Sequence, residues 1–161
     1  MVNAYMIAYM EQHCTVGMKF SANGNSIPFA MTDASNKPDP FDGICYGGFT
    51  VHMAGGPIIS KSFKLKHVGL SSEHNEYMAL TAALRAVIWL RQLLIEIGQG
   101  DLVSTPTDVY ADNIQANRLC KEHFVTSGNQ HIYLPYHWNR ECVKAGLVCI
   151  KWINTKYNIA D

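Results

Sequence analysis

The chain has 161 residues, with 13 Lys or Arg and 13 Asp or Glu, so its formal net charge is zero. This length suits one domain, or one domain with a short appendage, and it is enough to bury a full core. Hydrophobic residues make up 48% of the chain and charged residues 16%, which excludes an intrinsically disordered protein. Zero net charge argues against a strongly basic nucleic-acid coat protein but is compatible with a nuclease whose acidic site offsets a basic face.

Membrane, secretory and zinc proteins are not indicated either. The sequence has no apolar run that approaches the roughly 18 residues of a membrane span, so we expect no membrane contact. Its first residues lack a basic region followed by an apolar stretch, so we expect no secretory signal. Five scattered cysteines form no Cys-x-x-Cys pair, and no two of the seven histidines have i, i+4 spacing. This pattern argues against a zinc site or a disulfide framework and favours a reducing compartment.

The first part of the chain predicts a helix followed by strands. Apolar residues within 1–20 recur at helical spacing, and turn residues follow at 21–26. A short strand is predicted over 27–32. Two longer strands are predicted over 44–53 and 57–64, and Ala54-Gly55-Gly56 between them is typical of a hairpin.

The clearest predicted element is a long helix over 73–97, where apolar residues recur at helical spacing and a glycine follows. Ser72 is its predicted N-cap, and Glu73 lies in the first turn, where the helix dipole favours negative charge. A short strand is then predicted over 109–111.

The last part of the chain predicts helices over 113–122 and 131–145, then a buried strand over 147–153. The final residues, 154–161, predict no complete element. This order predicts a mixed α/β sheet that is antiparallel at first and then parallel through helical crossovers.

Four acidic residues occupy positions where a site can form. Asp33 and Asp112 end strands, and sites in open α/β sheets form at the carboxyl ends of strands. Glu76 lies in the first turn of the long helix, on or beside the face that packs on the sheet. A carboxylate there is costly without a positive partner. Because no Lys or Arg is an obvious local partner, a bound divalent cation would account for Glu76. Asp161, the last residue, can cap or begin a further helix.

Each of these residues also has a purely structural interpretation. Asp33 can be a turn former, Glu76 a partner of the helix dipole, Asp112 the cap of the following helix, and Asp161 an exposed terminal residue. Only the order and context of the four together favour a functional site.

Four blocks of the sequence resemble the signature blocks of a ribonuclease H domain: Thr-Asp-Ala-Ser at 32–35, Leu-Ser-Ser-Glu-His-Asn-Glu-Tyr-Met-Ala-Leu at 70–80, Val-Tyr-Ala-Asp-Asn at 109–113 and Asn-Ile-Ala-Asp at 158–161. More narrowly, they are similar to the version at the C-terminus of copia-type LTR-retrotransposon polyproteins, as are segments 55–60, 88–94 and 131–141. The resemblance covers about residues 28–161 and, weakly, the N-terminal helix. It implies a ribonuclease H-like fold over 26–161, with a five-stranded mixed sheet flanked by helices. The preceding residues, 1–25, resemble the tail of the reverse transcriptase connection.

The resemblance implies that Asp33, Glu76, Asp112 and Asp161 are the catalytic, metal-binding carboxylates. Glu76 is chosen over Glu73 because it precedes Tyr-Met-Ala-Leu. Oxygen ligands suit Mg²⁺ or Mn²⁺, and two such ions roughly 3.5–4 Å apart would support in-line phosphodiester hydrolysis. The family cleaves the RNA strand of RNA–DNA hybrids, leaving 3′-hydroxyl and 5′-phosphate ends. Its preference for RNA would rest on 2′-hydroxyl contacts in the minor groove.

The expected partners are an RNA–DNA hybrid and the reverse transcriptase domain of the same polyprotein. The expected location is intracellular, in the cytoplasm and in virus-like particles. The sequence does not indicate an oligomeric state.

Contacts to nucleic acid are predicted for Ser35, Ser72, Asn113, Lys64, Lys66 and Arg140. The basic residues among them also have a structural interpretation. Lys64 and Lys66 on a strand end, and the row on the later helix that includes Arg140, can simply be solvated surface.

Two departures from the family leave a second function open. Residues 154–160 contain no His, whereas many cellular ribonucleases H have a His-bearing loop before the last Asp. The sequence also stops at Asp161, where the family continues into a closing helix. The alternative is therefore a decayed or host-adopted module that binds nucleic acid or a protein without cleavage. A third alternative is a transposase or integrase-like core. It has less support, because those cores usually use three carboxylates with different spacing.

Overall fold

The computed structural model describes residues 2–21, 23–35, 37–65, 72–112 and 133–161. The helix predicted over 113–122 lies outside these residues. The described residues form a five-stranded sheet with strands β1 Phe29–Ala34, β2 Tyr46–Met53, β3 Gly56–Lys64, β4 Thr107–Ala111 and β5 Val148–Trp152. The helices are α1 Val2–Gln12, α2 Ser72–Glu96 and α3 Tyr133–Lys144, with short 3-10 helices at Gly100–Val103 and Thr155–Tyr157.

The strand order in the sheet is β3-β2-β1-β4-β5. Strands β1, β2 and β3 pair antiparallel, whereas β4 is parallel to both β1 and β5. Short connections can join antiparallel strands, whereas parallel neighbours need a long crossover. Helix α2 precedes β4 and helix α3 precedes β5, which confirms the predicted change from antiparallel to parallel pairing.

The predicted hairpin between β2 and β3 is present, and its turn consists of Ala54 and Gly55. Their φ angles are 54° and 85°, and positive φ at both central residues matches the right-handed twist of the flanking strands. The N-terminal segment lies against this turn, where the Ser21 N–H donates a hydrogen bond to the Ala54 carbonyl over 2.9 Å. A Cβ on Gly56 would lie 2.7 Å from the Lys19 carbonyl oxygen. Glycine is therefore required there for the segment to pass.

Helix α2 packs against β1 and β2 and provides much of the core. Leu80, Leu84 and Val87 are fully buried at the helical spacing that the sequence predicts. They belong to one hydrophobic cluster with residues of the strands, including Val51 and Val109. The helix therefore lies firmly on the sheet, and residues in its first turn have defined positions relative to β1.

The ends of α2 lie close to the predicted ends. Ser72 is the first residue of the helix, whereas the sequence predicts it as the N-cap that immediately precedes the helix. This difference of one residue is within the usual variation of assigned helix boundaries. Gly98, with φ of 77°, follows the helix and supplies the left-handed conformation typical of a helix C-terminus. By length and composition α2 could also cross a membrane, but half of its apolar window is buried inside the protein. Core helices of globular domains share this property.

Helix α1 lies within the predicted appendage of residues 1–25. It carries exposed apolar side chains, with Tyr5 82% and Tyr9 65% exposed. The extent of α1 confirms the predicted helical pattern over 1–20 as far as Gln12. The domain boundary between residues 25 and 26 stays a prediction.

Candidate metal centre

Three acidic side chains from three different elements converge at the carboxyl ends of the inner strands β1 and β4. Asp33 lies on β1, Glu76 in the first part of α2, and Asp112 directly after β4. One carboxylate oxygen from each residue lies within 4.8 Å of the others. Thr32 is paired with Ala111 across the parallel strands, so the next residues along, Asp33 and Asp112, lie side by side.

Close contact between α2 and β2 brings Glu76 to the carboxyl ends of β1 and β4. Gly47 of β2 is paired with Ala34 of β1, and a Cβ added to Gly47 would lie 3.2 Å from the Cβ of Ala79. The missing side chain at Gly47 therefore lets α2 approach the strands beside Asp33.

The fourth predicted carboxylate, Asp161, lines the same cleft as the other three. The volume of this cleft is about 860 Å³. It is not one of the three residues whose oxygens lie within 4.8 Å of one another. The buried side chain of Asn158 holds its segment in place by donating a hydrogen bond to the Thr32 carbonyl over 3.1 Å. A Cβ on Gly48 would lie 3.3 Å from the Ala160 carbonyl oxygen, so the last residues pass directly over β2.

Burial and neighbouring negative charge make ionisation of Glu76 unfavourable. Its side chain is buried, and its pKa is raised from 4.5 to about 8. Desolvation is the largest cause of the raised pKa, followed by the charges of Asp33 and Asp112. A hydrogen bond from the Ala34 backbone lowers the pKa by a smaller amount, and the charge of Asp161 raises it slightly. The Oε2 atom of Glu76 is buried and has no hydrogen-bond partner among the described residues.

Asp33 is affected in the same direction. Its pKa is raised from 3.8 to about 6 by desolvation first and then by the charges of Asp112 and Asp161, against a hydrogen bond from the backbone N–H of Ala34. Such a group of carboxylates is destabilised by mutual repulsion unless a cation neutralises it.

The donor set fits a divalent metal ion. All candidate ligand atoms are carboxylate oxygens, which suit Mg²⁺ or Mn²⁺ rather than softer metals. The unpartnered Oε2 of Glu76 is a ligand atom that a cation would satisfy. Asp33, Glu76 and Asp112 are therefore the residues that could hold the metal, with Asp161 near enough for its charge to affect two of them.

Two side chains from the C-terminal part of the chain support Asp112, and sequence reasoning missed both. The Thr155 hydroxyl donates to Asp112 Oδ2 over 2.9 Å, and the Trp152 indole N–H donates to the Asp112 carbonyl over 2.9 Å. Thr155 lies 43 residues after Asp112. No local sequence signal identifies this contact, since the sequence predicts no complete element over 154–161.

The predicted nucleic-acid contacts lie in different surroundings. Ser35 lines the cleft, and its hydroxyl donates to the Lys37 carbonyl over 3.3 Å. Ser72 is exposed at the start of α2. Lys66 and Asn113 lie outside the described residues.

The predicted basic residues are less available than the sequence suggests. Lys64 forms ion pairs with Asp39 at 2.8 Å and Asp42 at 2.7 Å, so its charge is largely compensated. Arg140 is buried, and Lys144 lies 3.8 Å from Glu141. Helix α3 therefore does not present Arg140 on an exposed basic face, because that side chain is enclosed by the protein. Contacts of Lys64 and Arg140 with nucleic acid stay predictions.

No protein-family model matches the chain. It is 32% identical over 143 residues to the retrovirus-related Pol polyprotein from transposon RE2 of Arabidopsis thaliana, a match that covers 88% of this chain and 10% of the relative. It is 33% identical over 140 residues to the corresponding polyprotein from transposon TNT 1-94 of Nicotiana tabacum, covering 86% of this chain and 10% of that relative. The chain thus spans about a tenth of the length of these curated relatives.

The fold resembles that of LC11-RNase H1, isolated from compost by a metagenomic approach. The TM-score is 0.58 at 15% sequence identity, and the match covers 83% of this chain and 88% of that one. The same protein in complex with an RNA/DNA hybrid matches with a TM-score of 0.57 at 15% identity, covering 82% of this chain and 88% of that one. At this identity the likeness shows the fold. Sequence and fold together place this chain in the family of retrovirus-related Pol polyproteins from copia-type transposons, as a segment with the ribonuclease H fold.

Proposed function

We propose that this chain is a metal-dependent ribonuclease H domain that cleaves the RNA strand of RNA–DNA hybrids during retrotransposon reverse transcription. The observation that carries the proposal is the convergence of Asp33, Glu76 and Asp112 within 4.8 Å, in a cleft that Asp161 also lines. The family and the ribonuclease H fold support it. So does the structural neighbour in complex with an RNA/DNA hybrid.

The residues of the cleft have distinct roles in this proposal. Asp33, Glu76 and Asp112 would hold Mg²⁺ or Mn²⁺, and Glu76 would lose its proton on binding. Bound there, such metal would supply an activated water and would neutralise charge on the leaving 3′ oxygen. The bond between phosphorus and that oxygen breaks as water adds, which leaves a 3′-hydroxyl and a 5′-phosphate. Asp161, the fourth predicted ligand, lines the same cleft and would complete the set of metal-binding carboxylates.

Cleavage of an end-labelled RNA–DNA hybrid in Mg²⁺ or Mn²⁺ tests the proposal. We expect the wild-type protein to cleave the RNA strand only, and Asp112→Asn to remove this activity. Asp108→Asn is the matched control, because Asp108 lies on β4, the strand that Asp112 follows, but pairs with Lys151 at 2.7 Å and does not line the cleft. A folded wild-type protein that binds metal and hybrid but leaves the RNA intact would contradict the proposal and favour the non-cleaving module.

The proposal includes the reverse transcriptase domain of the same polyprotein as a partner, and an intracellular location in virus-like particles. Support comes from relatives that are Pol polyproteins about ten times as long as this chain. The exposed apolar residues of α1 also provide a surface that a neighbouring domain could cover. Co-sedimentation of the protein with particle-associated nucleic acid in fractionated cells tests the location.

A further inference from the structure

We infer that Thr155 is a positioning residue for Asp112, and that the 3-10 turn which carries it sets the geometry of the metal centre. The inference rests on the proposed function and adds a residue to the machinery. The Thr155 hydroxyl donates to Asp112 Oδ2 over 2.9 Å, which leaves Oδ1 for a cation. Hydrogen-bond partners of this kind fix the orientation of metal-binding carboxylates.

The turn is anchored between the two strands whose ends carry Asp33 and Asp112. At its beginning, the Asn154 side chain accepts a hydrogen bond from the backbone N–H of Lys156 over 3.0 Å. At its end, Asn158 donates its backbone N–H to the Thr155 carbonyl over 2.9 Å and its side-chain N–H to the Thr32 carbonyl over 3.1 Å. One short turn therefore joins β1 to the carboxylate after β4.

Other contacts hold the backbone near Asp112, so Thr155 acts on the carboxylate itself. The Trp152 indole donates to the Asp112 carbonyl, and the Ile153 N–H donates to the Ala111 carbonyl over 3.1 Å. Thr155 is exposed, and exposed hydroxyl groups contribute little to the free energy of unfolding. Loss of its hydrogen bond should change how Asp112 is oriented without changing the fold.

The test compares Thr155→Val, which removes the donor at nearly constant volume, with Thr155→Ser, which keeps it. Titration calorimetry of metal-free protein with Mn²⁺ should show affinity about 10–100-fold weaker for Thr155→Val. The affinity of Thr155→Ser should stay within about twofold of the wild type. Thr105→Val is the matched control, since Thr105 is exposed before the opposite end of β4. In the cleavage assay, kcat should fall in Thr155→Val while KM for the hybrid changes little.

Thermal unfolding in EDTA establishes that each variant is folded at the assay temperature, and Thr155→Ala replaces Thr155→Val if the latter is not. Equal Mn²⁺ affinity in the wild type and the variant without the donor would overturn the inference. So would a Thr155→Ser protein that loses as much affinity as Thr155→Val. A wild-type protein that neither binds Mn²⁺ nor cleaves the hybrid would instead overturn the proposed function, so the two failures are distinguishable.

Discussion

The carboxylates of Glu76 on α2 and Asp33 on β1 have oxygens within 4.8 Å of each other, and the charge of Asp33 is one cause of the raised pKa of Glu76. Two like charges this close, one of them buried, repel each other unless a proton or a cation lies between them. The fold therefore maintains an arrangement that is unfavourable in the metal-free protein at neutral pH, which has measurable consequences.

The free energy of unfolding of the metal-free protein should fall as pH rises from about 4 to 8. The folded-state pKa values of Glu76 and Asp33, about 8 and about 6, lie above their usual values of 4.5 and 3.8. The folded state thus keeps protons that the unfolded chain releases across this range, and stability decreases wherever the folded state binds more protons. Urea unfolding in EDTA at pH 5 and pH 8.5 measures the difference.

The variant Glu76→Gln should remove most of this pH dependence. It should be more stable than the wild type at pH 8.5 by about 1–3 kcal/mol, since no buried charge has to form. Glu73→Gln, in the same turn of α2 but exposed, is the control and should keep the wild-type slope. A wild-type protein as stable at pH 8.5 as at pH 5 would show that burial and neighbouring charge do not raise the pKa values of these carboxylates as described.

Mn²⁺ or Mg²⁺ should stabilise the wild-type protein more at pH 8 than at pH 6, because at the lower pH the metal must displace protons from Glu76 and Asp33. At 100 times the dissociation constant, a bound ion adds about 2.7 kcal/mol to the free energy of unfolding. Scanning calorimetry with and without metal at both pH values measures the effect. Equal stabilisation of the wild type and Asp112→Asn would place the metal elsewhere.

The variant Asp33→Asn should reduce the rate of RNA cleavage by at least about 100-fold, because loss of a direct ligand costs at least as much as loss of a group that orients one. Its affinity for the hybrid measured in EDTA should not fall, since a negative charge near the phosphates is removed. Gel-shift and cleavage assays on the same samples separate the two effects. Asp101→Asn, an exposed site on the first 3-10 helix, should behave like the wild type.

The variant Asn158→Ala should lower the free energy of unfolding by about 1–3 kcal/mol, because it leaves the buried Thr32 carbonyl without this donor. Asn154→Ala, which removes an exposed cap of the same turn, should cost about 1 kcal/mol. RNA cleavage should fall in Asn158→Ala beyond what unfolding explains, since the segment that carries Asp161 loses its anchor. Unchanged cleavage in folded Asn158→Ala would mean that Asp161 needs no such anchor.

The sequence alone predicts features that depend on near neighbours in the chain. The helical spacing of Leu80, Leu84 and Val87 predicts α2 within one residue at each end. The glycines after Ala54 predict the hairpin, because positive φ is inexpensive for glycine. The order of strands and helices then predicts a sheet that changes from antiparallel to parallel.

The sequence also predicts four candidate metal-binding carboxylates, chiefly through the four blocks that resemble ribonuclease H. What it cannot supply is their separation, because Asp33, Glu76 and Asp112 meet only once β1 and β4 pair in register and α2 packs against them. Their raised pKa values arise from that burial and crowding and not from any local pattern.

Only the tertiary structure decides the surroundings of the remaining polar residues. A row of basic residues on α3 has the same spacing whether its face is buried or exposed, and the structure buries Arg140. The pairing of Lys64 with two aspartates and the contact between Thr155 and Asp112 likewise join residues distant in sequence. Residue periodicity determined the elements of this protein, whereas the packing of distant segments determined which polar atoms meet, because hydrogen bonds and ion pairs depend on distances that only the assembled sheet defines.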